Sequence, residues 1–279
     1  MKKITRRSFL AAAGLTAAAL ALTACGGFSS STASSTASSA AASSEAASSS
    51  AAAELTTVEA GKLTMATNAT FPPYEMTTDT GAFEGIDVDT AQAIAEKLGL
   101  ELQIDDMEFD AALLSVQQGK ADIVMAGVTV TDERKAVMDF SGSYATGIQS
   151  IIVPEGSDIA TPDDLAGKKI GTQRGTTGYI YCSDDFGDEN VVAYDSGLTA
   201  VQALNNGQVD AVVIDNAPAQ EYVAANPGLV VLDTSYAEED YAIGMAKGSA
   251  LEDAINAALE ELKADGTLQS IVDKYITAE

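Results

Sequence analysis

The sequence of 279 residues contains no histidine, no tryptophan and only two cysteines, Cys25 and Cys182. The lack of histidine excludes Ser–His and Cys–His catalytic pairs and every metal site that needs an imidazole ligand. Basic residues are also scarce, since 15 Lys and Arg stand against 41 Asp and Glu, for a formal net charge of −26. Such an acidic chain is poorly suited to binding nucleic acid or an anionic lipid surface.

Residues 1–25 have the pattern of an export signal, in which a basic start is followed by an apolar run. The twin arginine Arg6–Arg7 leaves two export routes open, one for unfolded and one for folded proteins. The run Leu22-Thr23-Ala24-Cys25-Gly26 resembles a bacterial lipoprotein box, which predicts that Cys25 becomes the acylated N-terminus and anchors the protein to a membrane. The alternative is a plain signal peptide with a chance cysteine.

Removal of residues 1–24 would take four basic residues and no acidic ones, leaving 11 against 41 and a net charge near −30. If Cys25 is acylated, Cys182 has no disulfide partner, and a lone thiol of this kind is either buried or free. Residues 26–53 are almost wholly Ser, Ala and Thr, a composition that cannot form a core and predicts a disordered linker. The globular body is expected from about Leu55 onward.

The body alternates short apolar runs with helical patterns. Strands are predicted at residues 63–67, 101–104, 122–126, 149–153, 169–172, 191–193, 210–214, 229–232 and 241–246. Helices are predicted at residues 86–98, 109–118, 176–186, 197–206, 216–225, 250–264 and 266–276. This alternation indicates an α/β fold with a mostly parallel sheet covered on both faces, and the number of units favours two domains. Ligands of such sheets bind beyond the carboxyl ends of the strands.

Residues 126–135 are the most informative stretch for function. An apolar strand leads into Gly127, and Thr131 followed by two acids has the pattern of a helix N-cap, which places Arg134 in the first helical turn. Hydroxyls, backbone N–H groups and a guanidinium at one strand end can together hold a carboxylate. The alternative is an ordinary strand–turn–helix in which Arg134 pairs with Asp132 or Asp139 in solvent.

Four blocks of sequence resemble the polar amino-acid substrate-binding proteins of ABC importers, known as solute-binding family 3. They are TNATFPPYE (67–75), GIDVDTAQAIAEKLG (85–99), MEFDAALLSVQQGKADIVMAGVTVTDERKAVMDFS (107–141) and RGTTG (174–178). The resemblance implies a two-lobed clamshell of the type II periplasmic-binding-protein kind, with two hinge crossovers. Lobe 1 would span 61–144 and 242–279, lobe 2 would span 149–237, and the hinges would lie near 144–148 and 238–242.

The resemblance also implies roles for single residues. Arg134 would bind the ligand α-carboxylate, with the Thr129 hydroxyl and the Gly127 backbone beside it, and Asp215 would bind the α-ammonium. Thr177, in the lobe 2 loop, would approach the carboxylate on closure. A buried pair of opposite clamps suits a zwitterion, because each charge must be paired once it leaves water. Alternatively, Asp215 and Thr177 serve only as helix caps.

The aromatic residues Phe71 and Phe109 match the pair that sandwiches the ligand's carbon chain, unless they are plain core residues. Two positions bear on the ligand side chain. Several members have Asp where this chain has Asn68, and Gln173 precedes the lobe 2 loop. Together these amides favour a polar side chain and leave both an uncharged and a cationic one open. The acids Glu75, Asp87 and Glu108 are candidates near the mouth for a cation, whereas Arg174 is expected to face solvent.

The sequence and the resemblance predict an extracytoplasmic, lipid-anchored, monomeric capture subunit that works with an ABC permease and ATPase. It would lie on the outer face of the cell membrane or in the periplasm, and would use no catalytic residue, metal or cofactor. One alternative is an enzyme on the same scaffold, resembling the cyclohexadienyl dehydratases, which would need a buried acid as proton shuttle. Another is an amino-acid-sensing receptor that signals to a separate partner.

Overall fold

A computed structural model of the protein describes residues 55–276, so the predicted export signal, the lipidation site Cys25 and the linker 26–53 lie outside the described residues. Within that part the chain forms twelve strands, eight α-helices and two short 3-10 turns. None of these helices is long and apolar enough to cross a membrane. The thiol of Cys182 is buried, and burial raises its pKa to about 12, which makes it a poor nucleophile.

The elements follow the predicted alternation. The strands are β1 (Lys62–Thr67), β2 (Thr70–Phe71), β3 (Glu75–Thr77), β4 (Phe83–Glu84), β5 (Glu101–Asp106), β6 (Ile123–Val124), β7 (Met138–Pro154), β8 (Ile170–Gln173), β9 (Val191–Tyr194), β10 (Ala211–Asp215), β11 (Leu229–Val231) and β12 (Ala237–Ala246). The helices are α1 (Ile86–Leu98), α2 (Phe109–Gln117), α3 (Asp132–Val137), α4 (Thr177–Phe186), α5 (Gly197–Asn205), α6 (Asn216–Ala225), α7 (Glu252–Ala264) and α8 (Thr267–Tyr275).

Two long strands connect the halves of one large sheet. The strand order is β5-β1-β6-β12-β7-β10-β8-β9, and β11 adds to β7. The antiparallel pair β7 and β12 runs through both halves. Strand β12 pairs with β6 of the first half, and strand β7 pairs with β10 of the second half. In each half the flanking strands are parallel to one another, β5-β1-β6 in the first and β10-β8-β9 in the second. The α/β class agrees with the sequence pattern and the two-lobed architecture with the family resemblance, but the sheet is mixed and not mostly parallel as predicted.

Each half has its own core on both faces of its sheet. In the first half, helices α1, α7 and α8 cover one face and α2 covers the other. In the second half, α5 and α6 pack on one face and α4 on the other. The buried faces leave only the strand ends free for a ligand, and the strand ends of the two halves meet at the β7–β12 crossover.

Three parts of the fold differ from the sequence prediction. Strands β7 and β12 are much longer than the predicted 149–153 and 241–246, and a small three-stranded sheet, β2-β3-β4, was not predicted at all. The early part of β7 contains Gly142 and Gly147 and lacks an apolar alternation, so only its pairing with β12 makes it a strand. At Gly147 an added Cβ would lie 2.4 Å from Cζ of Tyr241, so glycine lets that ring cover the crossover.

Candidate functional site

A cavity lies between the halves, at the strand ends where ligands of such sheets bind. All nine residues predicted from the sequence to bind a ligand line it: Asn68, Phe71, Phe109, Gly127, Thr129, Arg134, Gln173, Thr177 and Asp215. The halves touch across it, because Tyr222 donates a hydrogen bond to the carbonyl of Thr70 and Arg134 donates one to the carbonyl of Gly175. The cleft is therefore closed.

Arg134 is a buried cation without a carboxylate partner. Thr131 caps α3 as predicted, since its hydroxyl accepts a hydrogen bond from the Arg134 backbone N–H at 3.2 Å. The guanidinium is 8% exposed, donates to the carbonyls of Thr129 (2.8 Å) and Gly175 (3.1 Å), and lies 5.4 Å above the Phe109 ring. Among the ion pairs of residues 55–276 none involves it, so the solvent-pairing alternative is wrong.

Burial lowers the pKa of the Arg134 guanidinium from its ordinary value, yet an arginine stays charged at any physiological pH. A permanent buried charge held by two carbonyl dipoles and an aromatic ring is costly, and the missing partner is an anion. The planar guanidinium favours a carboxylate, which it can bind through two parallel hydrogen bonds.

Asp215 supplies the opposite charge from the second half. It ends β10 and is 2% exposed, and its two oxygens accept backbone N–H bonds from Ala217 (3.1 Å) and Ile148 (2.7 Å). The helix-cap alternative is thus correct as far as it goes, because Asp215 caps α6 while it also lines the cavity. Burial raises the pKa of this carboxyl to about 6, and no cation faces it among the described residues.

Glu239, on β12, connects the two halves through hydroxyls. Its Oε2 accepts hydrogen bonds from Thr129 in the first half (3.2 Å), from Thr177 in the second (2.9 Å) and from the Gln149 amide (3.0 Å). A hydroxyl has one proton to give, so both threonine oxygens are left as acceptors toward the cavity. They suit an ammonium group better than a carboxylate, which leaves Arg134 and backbone N–H groups for the carboxylate.

Thr177 is not the cap of α4, contrary to one alternative. The cap is Thr176, whose hydroxyl accepts from the Tyr179 N–H at 3.3 Å. Thr177 therefore occupies the first turn of the helix, where backbone N–H groups lack helical partners and can meet an anion. Sequence reasoning placed this residue in the lobe 2 loop and left its local role open, whereas the structure makes it the first residue of α4.

The aromatic walls come from the first half. Phe71 is half-buried and stacks on Tyr74 with ring centroids 5.7 Å apart, while Phe109 is buried in the core as well as lining the cavity. Phe109 thus has both of the roles considered for it. Gly127 has a φ of 56°, and an added Cβ would lie 2.9 Å from Cε1 of Phe71, so a side chain here would displace the ring.

The two amides expected to read the ligand side chain bind each other. Gln173 donates to Oδ1 of Asn68 at 2.8 Å across the cleft, and the Asn68 amide nitrogen donates to the Met107 carbonyl at 2.9 Å. Both side chains are almost fully buried. In the closed cleft they join the two halves, and this engages both polar atoms of the Asn68 amide and the amide nitrogen of Gln173.

The three acids expected near the mouth occupy different places. Glu75 and Asp87 have no exposed surface, and Glu75 lines the cavity, so neither lies at the mouth. Glu108 is exposed at the start of α2 and is not part of the lining. Arg174 faces solvent as predicted and pairs with Asp195 at 3.6 Å. The residues that sequence reasoning missed or misplaced are therefore Glu75, Gln149, Glu239 and Tyr241.

Similar proteins are known for almost the whole described body. Residues 63–278 match the bacterial extracellular solute-binding proteins, family 3. The L-cystine-binding protein TcyJ of Escherichia coli K12 is 34% identical over 226 residues, covering 79% of this chain and 85% of TcyJ. A probable histidine-binding protein of Neisseria gonorrhoeae is 33% identical over 276 residues, covering 96% of this chain and 95% of that protein.

Solved structures agree with this likeness. The arginine-, lysine-, histidine-binding protein ArtJ of Geobacillus stearothermophilus has a TM-score of 0.75 and 34% identity, covering 78% of this chain and 96% of ArtJ. The three proteins are named for amino acids with different side chains.

Proposed function

Since this chain belongs to family 3 of the bacterial extracellular solute-binding proteins, we propose that it captures one amino acid in the cleft and delivers it to the permease of an ABC importer. One observation carries the proposal. A buried guanidinium, Arg134, and a buried carboxyl, Asp215, line the same cavity, and neither has an ion-pair partner among residues 55–276. An amino-acid zwitterion supplies both missing partners at once.

The ligand contacts follow from the donors and acceptors available. The α-carboxylate binds Arg134 and the free N–H groups at the start of α4. The α-ammonium binds Asp215 and the acceptor sides of the Thr129 and Thr177 hydroxyls, whose protons are held by Glu239. Because these groups come from both halves, the ligand binds the closed form better than the open form and shifts the population toward it.

The protein is a binding protein and not an enzyme, since its relatives are named as amino-acid-binding proteins. The dehydratase alternative is thereby set aside. The second candidate is a receptor role, in which a separate partner would recognise the closed form. The permease is favoured because two Escherichia coli K12 relatives are named as ABC transporter arginine-binding proteins.

We further propose the placement and domain limits that the sequence predicted. Cys25 is the lipidated N-terminus, and residues 26–53 are the linker between it and the globular body. The protein works as a monomer on the outer face of the cell membrane or in the periplasm. Lobe 1 comprises 61–144 and 242–279, lobe 2 comprises 149–237, and the hinges lie in β7 and β12. The long pairing of these two strands supports hinges at the crossover.

A thermal-shift screen tests ligand capture. The protein is heated with each of the twenty amino acids and with ornithine, citrulline, cystine and prephenate. A ligand that binds only the folded state raises the melting temperature, by several degrees at about 100 to 1,000 times its Kd. We expect a strong shift with one amino acid or a chemically related few. No shift with any amino acid, or a shift with prephenate alone, would contradict the proposal.

Radiolabelled palmitate tests the anchor in cells. We expect label in the wild-type protein and in Cys182→Ala, and none in Cys25→Ala. Since both variants lose one thiol, the comparison isolates position 25. Label that survives in Cys25→Ala would show that the anchor assignment is wrong, without bearing on ligand capture.

A further inference from the structure

Glu75 is a buried acid that lines the ligand cavity without a partner of its own. Its side chain has no exposed surface, and neither carboxyl oxygen accepts a hydrogen bond within the described part of the chain. Glu75 stands directly opposite Phe71 in the β2–β3 pair, so the two side chains project from the same face of the hairpin. Since Phe71 lines the cleft, Glu75 is directed toward it as well.

A second buried acid lies against Glu75. Asp87, in the first turn of α1, accepts hydrogen bonds from the Gly127 N–H (3.0 Å) and the Tyr144 hydroxyl (2.8 Å) through Oδ2, while its Oδ1 has no partner. The two carboxyls face each other, and two neighbouring carboxyls in a dry interior cannot both ionise without a cation. A proton held by the pair resolves the conflict while the cleft is empty of ligand.

Among residues 55–276 no positive group offsets this pair. The charged and titratable groups that face Glu75 are the acids Asp87, Asp106 and Asp215 and the phenols Tyr74, Tyr144 and Tyr222. Burial and the neighbouring acids raise the pKa of Glu75 well above its ordinary value, and burial raises that of Asp87 to about 6. The site thus contains more acid than a zwitterion needs.

We propose that Glu75, backed by Asp87, is the subsite for a cationic side chain of the ligand, and that this cation replaces a proton which the two carboxyls hold between them. The inference rests on the amino-acid capture proposed above. The Glu75 O–H bond breaks, its proton passes to water and buffer, and the ligand's N–H groups donate to the carboxylate that remains. The class of ligand is an amino acid with an ammonium or guanidinium side chain.

This subsite also accounts for the amide at position 68. Asn68 is bound by Gln173, and an amide cannot neutralise a cation, so Asn68 does not supply the negative charge that a cationic side chain needs. The negative charge comes instead from the hairpin that follows it. A neutral ligand would leave the proton in place, so the pair discriminates by charge without a fixed unpaired ion.

The pH dependence has a defined sign. The pair is protonated when free and ionised when it holds a cation, so affinity for a cationic ligand rises with pH. The change reaches about tenfold per pH unit below the free-state pKa of the pair. Asp215 titrates too, but it meets the α-ammonium of every amino acid, so its effect cancels when ligands with and without a side-chain charge are compared.

Calorimetry on the intact protein tests the inference with two matched pairs, arginine with citrulline and ornithine with glutamine. Each pair has the same length and differs in side-chain charge. Titration at pH 7 in phosphate and in Tris gives the number of protons released from the dependence of the binding enthalpy on the buffer. We expect a cationic ligand to bind more tightly than its partner and to release more protons, with an excess approaching one.

Glu75→Gln should abolish that excess and lower the affinity for the cationic ligand by roughly thirtyfold or more, while changing that of the neutral partner by less than about threefold. Glu84→Gln is the matched control, because Glu84 lies in the neighbouring strand β4 and is exposed. If Glu75→Gln fails to fold, the wild-type proton counts still decide. Equal affinities and equal proton release within both pairs would overturn the inference and leave amino-acid capture intact, whereas no binding of any of the four would overturn both.

Discussion

Two regions of the cleft, residues 126–135 around Arg134 and the β2–β3 hairpin around Glu75, present the same physical problem with opposite sign. Each contains a buried ionisable group that lines the cavity and lacks an ion-pair partner among residues 55–276. Arginine cannot give up its charge, so its region always requires an anion. Glutamic acid can take up a proton, so its region can remain neutral until a cation arrives.

The difference matches the chemistry of the proposed ligand. Every amino acid has an α-carboxylate, and a permanent cation at Arg134 suits a group that is always present. Side chains vary, and a titratable group suits a part of the ligand that is charged in some amino acids and neutral in others. The α-carboxylate thus meets the permanent charge of Arg134, and the side chain meets the titratable carboxyl of Glu75.

The largest expected effect breaks the Arg134 side of this contrast. Arg134→Ala should weaken binding of every amino acid by about a hundredfold or more, since it removes one partner of a buried charge pair. Arginine and citrulline should lose affinity alike, unlike their response to Glu75→Gln. Calorimetry with both ligands gives the comparison.

Arg174→Ala is the control, because Arg174 is an exposed arginine beside the same cleft. It should change neither affinity by more than about threefold, as expected for a surface ion pair. Arg134→Ala should still fold, since it leaves no carboxylate unpaired, although it removes the hydrogen bonds to the carbonyls of Thr129 and Gly175. Unchanged binding by Arg134→Ala would show that the carboxylate is held elsewhere.

The two regions also differ in how far the sequence predicts them. The site around Arg134 follows from local signals: an apolar strand, a glycine, a capping hydroxyl and the first turn of a helix, all within ten residues. The structure confirms the Thr131 cap and the position of Gly127. The other candidate residues come from the family resemblance, and all nine line the cavity, where strand ends and helix starts of such a sheet meet.

No sequence pattern shows that Glu75 faces the cavity and not the mouth, because strands of two and three residues are too short to show an alternation of apolar and polar side chains. Its direction depends on the pairing of Glu75 with Phe71, and a slip of one residue would turn it to the other face. Glu239 was missed for a related reason. It lies in the part of β12 that only the pairing with β7 makes a strand, and no local pattern marks it as facing the cleft.

A smaller effect is expected at Asp215. Asp215→Asn should lower the affinity for both arginine and citrulline by roughly tenfold to a hundredfold, because it removes the charge facing the α-ammonium. Asparagine is also a good N-cap, so α6 should persist. Asp184→Asn removes the same charge from an exposed site on α4 and should change little.

The pH dependence of citrulline affinity is a second test of whether Asp215 binds the α-ammonium. Burial raises the pKa of Asp215 in the ligand-free protein to about 6, and an adjacent ammonium would lower it. Affinity for citrulline should therefore be highest above pH 6 and fall as the pH drops through that value. In Asp215→Asn this fall should vanish. A fall that persists in the variant would assign the titration to another group.

The smallest expected effect concerns the amides that bridge the cleft. Asn68→Ala and Gln173→Ala should each weaken binding by a few-fold to about tenfold, since a single neutral hydrogen bond contributes about 0.5–1.5 kcal/mol. The double variant should be no worse than either single one, because the partners of the 2.8 Å bond act together. Arginine and citrulline should respond equally if this pair only helps closure. An effect confined to arginine would instead make Asn68 a reader of side-chain charge and would weaken the case for Glu75, so this least disruptive experiment is also a sharp test of which region recognises the side chain.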